Sequence, residues 1–209
     1  MADRTFTMAE SSEAFRAAAH WWRSLVGGIE DHQWALMALG EWNVTELVAH
    51  TSRAFTTVVD YARGSVKDPT PIASAAEYFR IVLAEETPHL HIAARARTEA
   101  SAHTDWVQAT DDRWAAAAQV IDNTPGEQLM HLFVGEMPLR QYLATRVVEL
   151  AVHGLDLGTA IGIPSNPPPA ATRLALEVLL DLSTGDDTTS LLRLLSGRDG
   201  RLPLTNVLG

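Results

Sequence analysis

Residues 139–161 hold the side chains with the clearest chemical potential. Leu139, Leu143, Val147, Val148, Leu150, Ala151, Val152, Leu155 and Leu157 make the segment apolar on nearly every side, the pattern of a buried helix. It also carries Tyr142, Thr145, Arg146, Glu149, His153 and Asp156. At about 100° per residue these six fall within an arc of about 100°, one polar seam along an otherwise greasy rod. Glu149 and His153 lie four residues apart, which stacks a carboxylate and an imidazole on one face where both can donate to a single ion. Arg146 can pair with Glu149 one turn away, and Asp156 can do the same for His153. Buried polar groups need such partners. A solvated pair, a core hydrogen bond or a purely structural ion network has the same spacing, so the residues alone leave both a metal and a salt bridge open.

A metal site needs a third ligand from another element. His50 sits on a helical segment near Arg53 and Thr57, and a helical wheel puts it at the edge of the polar face, away from Leu47, Phe55 and Val58. Periodicity therefore reads His50 as exposed. His20, His32, His89, His91, His103 and His131 lie beside charged or loop segments and read as surface or structural residues. The His89-x-His91 pair straddles a helix start, and residues two apart on a helix point away from each other. There is no cysteine, which excludes disulfides, protein thiolate nucleophiles and Cys-type zinc sites. Any metal must be held by His and carboxylates, and any thiol must come from outside the chain. No phosphate-binding loop, dinucleotide glycine fingerprint or G-x-S-x-G elbow is present. Of the six tryptophans, Trp22, Trp106 and Trp114 fall on apolar helical faces, and Trp42 reads as a staple just before a capping box.

The elements that must position these residues are helical almost throughout. The spacing predicts a first helix over Met8 to Val26, stopped by Gly27-Gly28, then a connector from Ile29 to Glu41. Asn43 with Glu46 marks the start of a second helix reaching Arg63. Ser74 with Glu77 opens a third, over Ser74 to Glu86, which Pro88 breaks or kinks on the way to Thr98. Further helices are expected over Thr104 to Ile121 and from Pro138 to Gly162, with Leu129 to Val134 an apolar stretch of open type. Pro164-Ser165-Asn166-Pro167-Pro168-Pro169 is the clearest linker, followed by short helices over Ala170–Ser183 and Thr188–Leu195. No two strand-like runs joined by a hairpin turn are evident. The fold class is all-α: an antiparallel four-helix bundle over residues 1–163, with residues 164–209 a small helical C-terminal appendage.

Composition limits the partners. The chain has 209 residues, 46% hydrophobic and 20% charged, so disorder is excluded as its overall state. A net charge of -10 with no run of Lys or Arg leaves no electrostatic footprint for nucleic acid or an anionic membrane. The start MADRTFTMAESSEAFR lacks a secretory core, and no stretch approaches about 18 uninterrupted apolar residues, so a cytoplasmic location is expected.

Two segments add a resemblance. Leu39-Gly-Glu-Trp-Asn-Val-Thr-Glu-Leu-Val-Ala-His50-Thr-Ser-Arg-Ala54 and Tyr142-Leu-Ala-Thr-Arg-Val-Val-Glu149-Leu-Ala-Val-His153-Gly-Leu-Asp156-Leu157 carry W-x(4)-L-x(2)-H followed by E-x(3)-H-x(2)-D. Over roughly residues 10–163 the chain resembles the amino-terminal domain of the mycothiol-dependent maleylpyruvate isomerase family, within the DinB/YfiT-like superfamily of metal-dependent four-helix bundles. The resemblance implies that His50, Glu149 and His153 hold a divalent metal, usually zinc, with Arg146 and Asp156 orienting them. It implies mycothiol, the small thiol of actinobacteria, as co-substrate, and a metal-activated thiolate that attacks a small electrophile in an isomerase or transferase reaction. The chain departs from that family's enzyme after the proline linker. Residues 164–209 look like a reduced form of its larger carboxy-terminal domain, and no residue matches a catalytic arginine. Isomerisation itself is left open on that account. The alternative is a non-catalytic bundle that binds a metal or small ligand, as a monomer or homodimer.

Overall fold

The computed structural model describes residues 2–65, 69–84, 96–183 and 185–198. The chain is mostly helical. Helix α1 (Met8–Gly27) starts at Thr7, whose side chain caps the Glu10 amide while Glu10 returns the bond to the Thr7 backbone. Asn43 and Glu46 form the same reciprocal box ahead of α2 (Val44–Arg63), and the Ser74 side chain caps α3 (Ala75–Leu83). Asp105 caps α4 (Trp106–Asn123). Helix α5 (Leu139–Ala160) follows Pro138, which has no donor to waste at a helix start. Helices α6 (Pro169–Leu182) and α7 (Gly185–Leu195) complete the described chain. The expected continuation of the third helix past Pro88, the His89-x-His91 pair and the tail from residue 199 lie outside the described residues.

Two small sheets overturn the expectation of no hairpins. Strands β1 (Met37–Leu39) and β2 (Trp42–Asn43) pair antiparallel across Gly40, which has φ +55°. Strands β3 (Leu129–Leu132) and β4 (Gly135–Pro138) pair in register from Leu129–Pro138 to Leu132–Gly135. The apolar stretch of open type is therefore a strand, with Met130 and Leu132 turned inward and Leu129 outward. Gly135 cannot be replaced there. Its φ is +149°, and a Cβ would lie 2.2 Å from the Thr70 carbonyl oxygen, whose segment joins the hairpin through Glu136.

Helix α5 is the central element. It packs against α1, α2, α3 and α6, and α1 and α2 each also pack against α4. Gly154 sets the approach of α1, because a Cβ there would sit 2.2 Å from the Trp21 ring. Phe15, Phe55 and Trp114 join α1, α2 and α4 with ring centroids 5.7–6.0 Å apart. Trp22, Leu47, Leu143 and Leu150 are fully buried, each burial worth roughly 1.5–3 kcal/mol. Ala171, Leu174, Ala175 and Val178 of α6 belong to the same apolar core. Among the described residues no helix is long and apolar enough to cross a membrane.

Candidate metal centre

The site lies where α2 faces α5. The second turn of α2 presents His50, and the third and fourth turns of α5 present Glu149 and His153. The His50 side chain is 19% exposed, Glu149 24% and His153 17%. His50 is thus largely enclosed, contrary to its position on the wheel. The reason is tertiary: the β1–β2 hairpin folds over the start of α2, and the Trp42 ring lies against the His50 ring, tilted by 42° with centroids 4.7 Å apart. A wheel computed from α2 alone cannot contain that cover.

The three ligand-type atoms converge. Glu149 Oε2 is 3.7 Å from His50 Nε2 and 3.5 Å from His153 Nε2. The imidazole rings meet nearly at right angles with centroids 5.1 Å apart. One donor atom from each residue lies within 4.8 Å of the others. Zinc–nitrogen and zinc–oxygen bonds of roughly 2.0–2.2 Å put neighbouring ligands of a tetrahedral ion roughly 3.3–3.5 Å apart, so the His153–Glu149 spacing already suits one ion and the His50–Glu149 spacing of 3.7 Å is slightly wide of it. The Glu149 carboxylate gives the sharper test. Its nearest nitrogen-bearing neighbours, His153, His50 and Arg146, stand at 3.5, 3.7 and 3.8 Å. All three exceed the roughly 2.7–3.2 Å of a good direct hydrogen bond, a poor arrangement for a plain salt bridge and a suitable one for ligands around a shared cation.

Neighbouring groups tune the ligands. Asp156 Oδ2 lies 3.1 Å from His153 Nδ1. In the neutral ring this holds the hydrogen on Nδ1 and turns the Nε2 lone pair toward Glu149. Burial opposes a charge on His153, yet its contacts with Asp156 and Glu149 outweigh that and raise its pKa to about 9. Burial alone would push Glu149 up, but His153, His50 and the charge of Arg146 hold it well below the usual carboxylate range. Burial pushes His50 down against the opposing pull of Glu149. Without a metal the cluster therefore keeps a proton on His153 at neutral pH, with Glu149 ionised.

Arg146 lies one turn before Glu149 and is almost fully buried. Its Nε donates to Thr145 Oγ1 at 3.0 Å and its Nη2 to the Tyr78 hydroxyl at 3.4 Å. The guanidinium sits over the rings of Tyr142 and Tyr78, 5.0 and 5.6 Å from their centroids. Tyr78, on α3, is a site neighbour that no motif marks; Trp42, read from the sequence as a helix-entry staple and the first residue of W-x(4)-L-x(2)-H, proves to lie against the His50 ring. Among the described residues the other histidines stay apart. His131 Nδ1 meets Glu136 Oε1 at 2.5 Å within the second hairpin, His103 faces Arg113, and His32 faces Glu30.

Fold and site together define a helical protein with a two-histidine, one-glutamate cluster shared between two helices. The model of the family described as the mycothiol maleylpyruvate isomerase N-terminal domain matches residues 15–158, and the chain belongs to that family. The match spans His50, Glu149 and His153. No curated protein and no solved structure matches the chain.

Proposed function

We propose that His50, Glu149 and His153 bind one divalent metal ion, most simply Zn²⁺, on a four-helix bundle of the DinB/YfiT-like kind formed by residues 1–163. In this reading residues 164–209 are a helical appendage. The observation that carries it is the convergence of two imidazoles and a carboxylate, from two distant segments, at ligand-to-ligand rather than hydrogen-bonding distances. Two His and one carboxylate leave coordination positions for water or substrate, the pattern of a catalytic rather than a structural zinc.

The family supports mycothiol as the second reactant. A divalent ion held here would lower the pKa of a thiol and make its thiolate available near neutral pH. The chain's own residues do the rest. Asp156 holds the His153 ring with Nε2 forward, Trp42 shields one face of His50, and the apolar body of α5 keeps the ligands in place. The thiol proton would pass to solvent, and the thiolate lone pair would form the new bond to carbon of a small electrophile. The electrophile's π pair, or its bond pair to a leaving group, then shifts onto the neighbouring or departing atom, which solvent protonates. In an S-transferase reaction that thioether is the product; in an isomerase reaction the C–S bond breaks again after bond rotation and returns the thiol. The absence of Cys suits this, because the sulfur is a reactant rather than part of the chain. The proposed setting is cytoplasmic, with the protein acting as monomer or homodimer.

The test is metal analysis of the purified protein beside His153→Ala, followed by turnover with mycothiol and a panel of electrophiles. One metal per wild-type chain, lost in the variant, supports the reading. Equal metal content in both ends it. Metal without turnover leaves a binding bundle in place of an enzyme.

A further inference from the structure

We propose that Arg146 makes this site prefer an anionic over a neutral exogenous ligand. The inference rests on the metal reading above and assigns Arg146 a positioning and specificity role. A buried guanidinium ordinarily recovers its lost hydration from a hydrogen-bonded carboxylate. Arg146 does not. Among the described residues no carboxylate lies within hydrogen-bonding distance of it, and the nearest, Glu149, is 3.8 Å away. Its bonds go to the hydroxyls of Thr145 and Tyr78, and its faces to Tyr142 and Tyr78. These partners are neutral at pH 7, and an arginine cannot shed its proton.

Counting formal charges gives the consequence. A divalent ion with neutral imidazoles contributes two positive charges, and Arg146 a third. Glu149 and Asp156 supply two negative charges, which leaves one positive charge in an enclosed site. One exogenous anion closes the count. Without Arg146 the metal-loaded site is already neutral, and an exogenous anion gains nothing from net charge. The tyrosine cage also fixes where this charge sits. Tyr78 comes from α3 and Tyr142 from α5, so the guanidinium is clamped between two helices on the Glu149 side of the triad. A thiolate is the anion class the family supplies. Any small anionic donor should be favoured on the same grounds.

The test uses Co²⁺ as a visible probe metal in the full-length protein. Azide (an anion), imidazole (a neutral donor) and 2-mercaptoethanol are titrated against the cobalt absorption bands. In the wild type the ratio of azide to imidazole affinity should exceed that of Arg146→Met by about tenfold or more, and the thiolate-to-cobalt charge-transfer band should appear at lower thiol concentration in step. Arg146→Lys, which restores the charge with fewer hydrogen bonds, should stay within about threefold of the wild-type ratio. A merely structural role would weaken metal binding in both variants and leave the ratio unmoved. If Arg146→Met holds no cobalt, Arg146→Gln, neutral but still able to donate to the hydroxyls, takes its place: a ratio equal to that of the wild type overturns the inference. Cobalt bound with equal ratios in wild type and Arg146→Met overturns it alone. Failure of the wild type to bind cobalt overturns the metal reading, and the inference with it.

Discussion

Metal-free protein should lose stability as pH rises from 6.5 to 9.5, and Asp156 should control that loss. Burial works against a proton on His153, but Asp156 at 3.1 Å and Glu149 at 3.5 Å raise its pKa from 6.5 to about 9. A cation whose pKa is raised on folding binds its proton more tightly in the native state. Its contribution is complete below the unfolded value of 6.5 and disappears as pH passes 9. At 1.36 kcal/mol per pH unit, that rise is worth about 3 kcal/mol. Within the cluster, Glu149 is ionised throughout this window, and burial moves the titration of His50 below its ordinary value and so toward or under the window's lower edge. In a chain of this size about 3 kcal/mol corresponds to a melting shift of roughly 6–12 °C. The assay is urea unfolding after exhaustive chelation, at pH 6.5, 7.5, 8.5 and 9.5, on wild type and Asp156→Asn. The wild type should weaken by about 3 kcal/mol across the series, and Asp156→Asn by less than half as much. A wild-type profile that is flat or rises with pH, or a variant with the same slope, refutes the reasoning.

Three further outcomes follow from the same geometry. Metal binding at pH 7 should release close to one proton, because the ion displaces the His153 proton; calorimetry in two buffers of different ionisation enthalpy measures it, and apparent affinity should tighten from pH 7 to 9. Gly154→Ala drives a methyl group to 2.2 Å from the Trp21 ring and should cost about 2–3 kcal/mol by chemical denaturation, without removing any ligand. His131→Ala breaks the bond to Glu136 and should cost about 1–2 kcal/mol while leaving metal content unchanged, which separates the second hairpin from the metal centre.

Helix starts were the most legible part of the fold. Asn43 with Glu46, and Ser74 with Glu77, are local hydrogen-bond programs written within four residues, and both form as read. The polar seam of α5 was legible for the same reason, since its six members share one helix. The hairpins were not. β1–β2 has only five residues in strands, and its turn lacks an Asn-Gly or Asp-Gly pair. In β3–β4 the alternation of Met130, Leu132 and Met137 is too short to outweigh the helical pattern around it. His50 was misread because periodicity reports only the helix a residue belongs to. Its burial comes from Trp42 on a hairpin and from α5, contacts that no pattern within α2 encodes. The pairing of Arg146 with Glu149 was expected from spacing, but its length of 3.8 Å and the tyrosine cage were set by tertiary packing.

The central claim is that side chains from two helices share one cation. Diffraction from crystals of the zinc-loaded protein, collected on both sides of the zinc absorption edge, tests it directly. The account predicts one anomalous peak bonded to His50 Nε2, His153 Nε2 and a Glu149 carboxylate oxygen at about 2.0–2.2 Å, with at least one further position taken by solvent or a thiol. No peak between α2 and α5, or a peak held by other residues with Glu149 closed onto His153 in a direct hydrogen bond, would contradict it.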